Sequence, residues 1–197
     1  TAVATGPLGF TQSVPVILSG DCVNAGQAAC KADATFPGNL SYSGSTASAS
    51  ITIAKADATV SIVPYSGLYD GAPHGISGTA TGIGGANLSA ALNLGATFTN
   101  APGGTALWTF AGGQNYVSQS GSAAVALTQA PSTTAITCPA SVPATGSPLT
   151  PCSAIATGVG ALSVSVLPTY TNNVSAGTAT VSAIFGGDTN HTGSSAT

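Results

Sequence analysis

The stretch "WTFAGGQNYVSQSGS" (108–122) decides the fold, because the chain carries it three times over. Its counterparts are "ATFPGNLSYSGS" (34–45) and "AIFGGDTNHTGSS" (183–195). The phenylalanines Phe36, Phe110 and Phe185 lie 74 and 75 residues apart (110 − 36 and 185 − 110). Other markers keep the same period. "VATG" (3–6) returns as "TATG" (79–82) and "IATG" (155–158), and "TFTN" (97–100) as "TYTN" (169–172). "YDGAPH" (69–74) matches "ATGSPL" (144–149), and "ASITIAKA" (49–56) matches "AAVALTQA" (123–130). Self-similarity at a fixed period is the mark of a repeat architecture. The chain therefore reads as about two and a half copies of one unit. Residues 1–55 form a partial repeat whose first part is missing, 56–130 a complete repeat, and 131–197 a repeat lacking its last strand.

Composition sets the class. Only 4% of the 197 residues are charged: five Asp, Lys31 and Lys55, with no Glu or Arg and a net charge of −3. A typical soluble protein has about 25% charged residues, so solubility falls to Ser, Thr, Asn, Gly and backbone. With no basic footprint, nucleic acid is excluded as a partner. β-branched and turn-forming residues abound and helix formers other than Ala are scarce, which argues for strands. In the complete repeat strands are expected near 58–64, 76–82, 88–98, 104–111 and 122–129. They are divided by "YDGAP", "GIGG", "TNAPGG" and "AGGQN". "ATVSIV" and "AAVALT" alternate apolar with small or polar residues, the period of a half-buried strand. The expected fold is all-β: tandem small immunoglobulin-like antiparallel β-sandwiches. No apolar run reaches the roughly 18 residues of a membrane span. No leader pattern opens the sequence, so any signal peptide is expected to have been removed or to lie outside this segment.

The run "KADATVSIVPYSGLYDGAPH…TATGIGG…ATFTNAPGGTALWTFAGGQNYVSQSGSAAVALTQA" resembles the bacterial immunoglobulin-like, glycine-rich, mostly-β repeats of large secreted and cell-surface proteins. The resemblance covers nearly the whole chain. It implies spacer modules of adhesins and surface fibres, with no catalytic residues to carry over. The outer repeats depart from it by being incomplete and by holding all four cysteines.

Asp188, Asn190 and His191 crowd together in "GGDTNH" like a site. Aligned with its counterparts, however, His191 falls in the slot of Tyr42 and Tyr116, and Asp188 reads as a turn residue. His74, equivalent to Leu149, also reads as a turn residue. No loop offers the several acids of a calcium site, and the cysteine spacings are not those of zinc. The third repeat has no Lys for an isopeptide bond, and no serine sits in a G-x-S-x-G elbow. No cofactor, metal or enzymatic activity is expected. The alternation places Phe36, Phe110, Phe185 and Trp108 in the core, whereas Tyr65 and Tyr69 suit either a packed corner or a sugar-stacking surface.

Four cysteines allow three connectivities. The local one, Cys22 with Cys30 and Cys138 with Cys152, is favoured because each pair brackets a hairpin-like connection. Disulfides imply an oxidising compartment, hence an extracellular or cell-surface location; the alternative is four free buried thiols. Asn39, Asn87, Asn173 and Asn190 lie in N-x-[ST] sequons, candidate glycosylation sites.

Repeats in series make a quasi-one-dimensional array. The function expected is a structural repeat segment of an extracellular fibre or cell-surface protein. Its expected partner is itself, in a head-to-tail homopolymer joined by strand complementation or in a longer repeat array. Glycans are a further candidate partner, and "SVPVILS" (13–19) a candidate donor strand. The alternative function is an adhesin or carbohydrate-binding module.

Overall fold

The computed structural model describes all 197 residues. The protein is all-β, its helices being three single 3-10 turns, and no helix is long and apolar enough to cross a membrane. Residues 1–55 hold β1 (Ala2–Gly6), β2 (Phe10–Val14), β3 (Val16–Gly20), β4 (Gly26–Phe36) and β5 (Ser45–Ile53). Residues 56–130 hold β6 (Thr59–Val63), β7 (Tyr65–Leu68), β8 (Ser77–Thr81), β9 (Leu92–Asn93), β10 (Gly103–Phe110) and β11 (Gln119–Thr128). The remainder holds β12 (Ser132–Thr137), β13 (Ser153–Gly158), β14 (Leu162–Val166), β15 (Thr169–Thr171), β16 (Thr180–Phe185) and β17 (Ser194–Ala196). β4, β10 and β16 each end on the phenylalanine that marks the period.

The sheets are small: β1-β2, β3-β4-β5, β6-β8, β7-β11-β10-β9, β12-β13-β14 and β15-β16-β17. Two features depart from the sequence expectation. Residues 88–98 are not one strand: Ser89–Ala91 form a 3-10 turn, only Leu92–Asn93 form a strand, and Phe98 makes an isolated antiparallel bridge to His74. The Asn87 side chain accepts the Ser89 N–H (3.0 Å), an Asx turn that competes with extension. In addition, the sheets are not wholly antiparallel, because β7 runs parallel to β11, with Tyr65 opposite Val125 and Leu68 opposite Thr128. A parallel partner lies far away in sequence and leaves no hairpin signal.

The chain packs as two compact units. One comprises Thr1–Ser61, Thr79–Leu92 and Thr109–Gln119; the other comprises Ile62–Gly78, Asn93–Trp108 and Ser120–Thr197. Packing units and sequence repeats are thus different divisions of the chain. In the first unit Val14, Cys30, Phe36, Ala58, Ala80 and Phe110 are buried. The second is built on Ile76, Ala106 and Val125, with Phe98, Trp108 and Leu94 packed against them. Phe185 is only half-buried.

One cross-strand position shows how the repeat tolerates change. Two residues before the marker phenylalanine, the outer repeats pair alanines: Ala34 with Ala47 and Ala183 with Ala196. The middle repeat has Trp108 and Gly121 at these places. A Cβ on Gly121 would lie 2.7 Å from the indole, so the missing methyl makes room for the ring.

Cys22 is bonded to Cys30 and Cys138 to Cys152. Closing the latter's 14-residue separation stabilises by about 3 kcal/mol in the chain-entropy model.

Candidate functional site

The most strongly repeated geometry lies where one sequence repeat meets the next. At the first joint, Asn115 Nδ2 donates to Asn24 Oδ1 (2.8 Å) and Asn115 Oδ1 accepts the Ala25 N–H (2.8 Å). Ala56 N–H donates to the Asn115 carbonyl (2.8 Å), and Val117 N–H to the Ala56 carbonyl (2.9 Å). Lys55 Nζ donates to the Gly113 carbonyl (2.6 Å).

The second joint repeats these bonds one period later. Asn190 Nδ2 donates to Asn100 Oδ1 (2.9 Å), and Asn190 Oδ1 accepts the Ala101 N–H (3.0 Å). Ala130 N–H donates to the Asn190 carbonyl (2.8 Å), and Thr192 N–H to the Ala130 carbonyl (2.9 Å). Gln129 Nε2, in the place of Lys55, donates to the Asp188 carbonyl (2.5 Å). An asparagine amide, with one donor and one acceptor end, bridges two chain segments with no charge to desolvate.

The next residue is the aromatic slot. Tyr42 Oη donates to the Pro7 carbonyl (3.0 Å), Tyr116 Oη accepts the Ile83 N–H (3.1 Å), and His191 Nε2 donates to the Val159 carbonyl (3.0 Å). Pro7, Ile83 and Val159 are themselves equivalent, each following an "ATG" marker. At the second joint the Tyr69 ring meets His191 edge-on at 5.2 Å. Gly160, at φ +62°, sits so close to the Tyr69 hydroxyl that a Cβ there would clash. Tyr65 is stacked on His74 at 4.4 Å. The rings of Tyr65 and Tyr69 are thus both engaged in internal packing.

The acids act on turns. Asp188 Oδ1 accepts the Asn190 and His191 N–H groups, both at 2.7 Å, as Asn39 Oδ1 does for Ser41 and Tyr42, both at 2.9 Å. Burial pushes the Asp188 carboxyl up, but the Asn190 N–H, the His191 ring and the His191 N–H together hold it below its ordinary value. Asp70 is lowered by His74 and the Ala72 N–H, Asp21 by Asn24 and Val23, and Asp33 by Ser48 and Ser19. A carboxyl lowered on folding stabilises above its unfolded value, here 3.8, and that contribution is lost as pH falls through the folded values. The denaturation midpoint should therefore drop as pH falls below the unfolded value of 3.8, which urea titrations at stepped pH will show; an unchanged midpoint contradicts this linkage.

No group of three or more His, Cys, Asp or Glu side chains exists to hold a metal. A cleft of about 440 Å³ opens in the third repeat, lined by Val142, Leu149, Pro151, Tyr170, Val174 and Val181 among others. Its lining includes no Asp, Glu, His or Lys. Pro151, Tyr170 and Val181 are the counterparts of Ile76, Phe98 and Ala106, which surround Val125 in the middle repeat. The cleft is thus the third repeat's version of the space that Val125 of β11 fills.

Of the sequons, Asn39 and Asn87 are exposed. Asn173 is half-buried and donates Nδ2 to the Leu149 carbonyl (2.9 Å). Asn190 commits both side-chain atoms to the joint. "SVPVILS" is already paired: β3 lies against β4, Val16 opposite Ala34, with its other edge open. Nothing in the sequence marks Asn24, Asn100, Asn115 and Asn190 as partners, although Asn115 and Asn190 recur at the period just before the aromatic slot. The chain matches no protein-family model, no curated protein and no solved structure.

Proposed function

We propose that this chain is a non-enzymatic structural segment of an extracellular fibre or cell-surface protein, built from immunoglobulin-like repeats. The observation that carries the reading is the joint itself, made twice with the same hydrogen bonds between equivalent residues. An element that links successive copies by one reproducible contact extends an array without new chemistry. Two disulfides support export to an oxidising compartment. The exposed Asn39 and Asn87 are the better glycan acceptors, because a glycan on Asn190 Nδ2 would displace its bond to Asn100.

The cleft supports head-to-tail assembly. It suits a strand patterned like β11, whose Val125 and Leu127 are buried to 1% and 2% exposure, and such a strand from a second copy of this chain can enter it by β-augmentation. β5, the sequence counterpart of β11, is a sheet edge exposed along nearly its whole length and is the donor of choice. Sedimentation and electron microscopy of the 197-residue protein should show concentration-dependent linear oligomers. A peptide of residues 119–130 should bind the protein and shorten them. Monomers at every concentration that ignore the peptide and bind members of a glycan array would replace this reading with the adhesin one.

A further inference from the structure

The two joints differ at three titratable places: Lys55 against Gln129, Gly113 against Asp188, and the aromatic slot. The aromatic slot holds Tyr116 at the first and His191 at the second. His191 is buried, at 4% exposure. Its Nε2 faces the Val159 carbonyl at 3.0 Å, and its Nδ1 faces both Asp188 carboxylate oxygens at 2.9 and 3.1 Å. A carbonyl oxygen and a carboxylate only accept hydrogen bonds. Both contacts are therefore satisfied at once only when both ring nitrogens carry hydrogen.

A neutral ring loses one of them. With the proton kept on Nδ1 for the carboxylate, the Nε2 lone pair points at the Val159 oxygen, and a buried contact turns from attractive to repulsive. A tyrosine hydroxyl carries no such dependence, because a phenol stays neutral until about pH 10. Imidazole is the ordinary side chain whose charge changes between about pH 5 and 8.

The surroundings are otherwise uncharged. Asp188 comes from the loop after β16, and the Tyr69 ring comes from the turn after β7. Asp70, next along that turn, is held by His74 at 2.8 Å. The Ala130 segment and the Val159–Gly160 turn bring no ionisable group, and no Lys or Arg follows Lys55.

We propose that the second joint is a proton-dependent coupling, in which the doubly protonated His191 ties the Asp188–Thr192 loop to the Val159 turn and so holds in place the bonds that this loop makes to Asn100, Ala101 and Ala130, while deprotonation loosens the loop and with it the joint. The first joint, with Tyr116, stays indifferent to pH over the same range. This inference concerns the joint alone and holds whether or not the chain assembles into fibres.

The test is amide hydrogen exchange by NMR on the 197-residue protein between pH 5 and 8. The Ala130 and Thr192 amides report the second joint, and the Ala56 and Val117 amides report the first in the same sample. Taking the ratio of protection factors removes the intrinsic pH dependence of exchange. Loss of one charge-assisted hydrogen bond predicts a fall of about tenfold in that ratio from pH 5 to pH 8. His191→Tyr should hold the ratio constant, and His74, kept in this variant, controls for the other imidazole. A ratio that does not change with pH in the natural protein overturns the proposal, as does an equal fall in His191→Tyr. If that variant does not fold, ring ¹⁵N shifts of the natural protein decide. Two protonated ring nitrogens on His191 at pH 5 support the coupling, and a neutral ring at that pH overturns it.

Discussion

The double variant Asn115→Ala/Asn190→Ala should lose about 4 kcal/mol of stability, roughly 2 kcal/mol from each joint. Each substitution removes a donor to an asparagine oxygen, Asn24 Oδ1 or Asn100 Oδ1, and an acceptor for a backbone N–H, that of Ala25 or Ala101. The Ala25 and Ala101 amides then face a methyl group and lose their side-chain partner, and for the buried Ala101 the unsatisfied N–H adds to the cost of the lost bond. The sites are 75 residues apart and share no partner, so the single effects should add. Asn→Asp is the sharper probe, because a carboxylate keeps the acceptor for Ala25 or Ala101 and turns the Nδ2 donor into an oxygen facing another oxygen. Denaturant unfolding of both single variants and the double provides the measurement. A double variant within about 1 kcal/mol of the natural protein would mean that the joints are held by their backbone bonds alone.

Phe110→Ala should cost about 3–5 kcal/mol. Phe110 has 2% exposure and is among the largest fully buried side chains. It closes β10, so removing the ring leaves a cavity between strands that pair on both sides and cannot collapse freely. Phe36, at 5% exposure, should cost nearly as much, and the half-buried Phe185 clearly less. That ranking tests the packing rather than the repeat, since the three residues are equivalent in sequence. Equal losses at Phe110 and Phe185 would show that period, and not burial, sets the contribution.

The reach of local pattern is visible at particular residues. Alternation along "GSAAVALT" marks the face on which Val125 and Leu127 are buried, and the "TATG" and "IATG" markers hold Ala80 and Ala156, buried to 1% and 0%. Such signals are local, two or three residues wide, and side chains on a pleated strand obey them directly. The same pattern extends a strand across 88–98, where the Asn87 side chain and a 3-10 turn intervene. It also passes over β7, whose partner lies about 60 residues later.

By itself the sequence determined that the chain is all-β, that its marker residues recur about every 75 positions, and that it carries almost no ionisable chemistry. Those properties follow from composition and spacing, which need no partner to be read. The tertiary structure decided what the recurring residues do. Asn100 meets Asn190 across 90 positions and Asn24 meets Asn115 across 91. The members recur at the period, Asn24 at Asn100 and Asn115 at Asn190, but no charge or apolar stripe announces which recurring residue meets which. Likewise "DTNH" spells out a carboxylate beside an imidazole, but only the fold sets the Val159 carbonyl on the ring's far side. Hydrogen bonds are specified by position in space, and space is what a repeat in sequence leaves open.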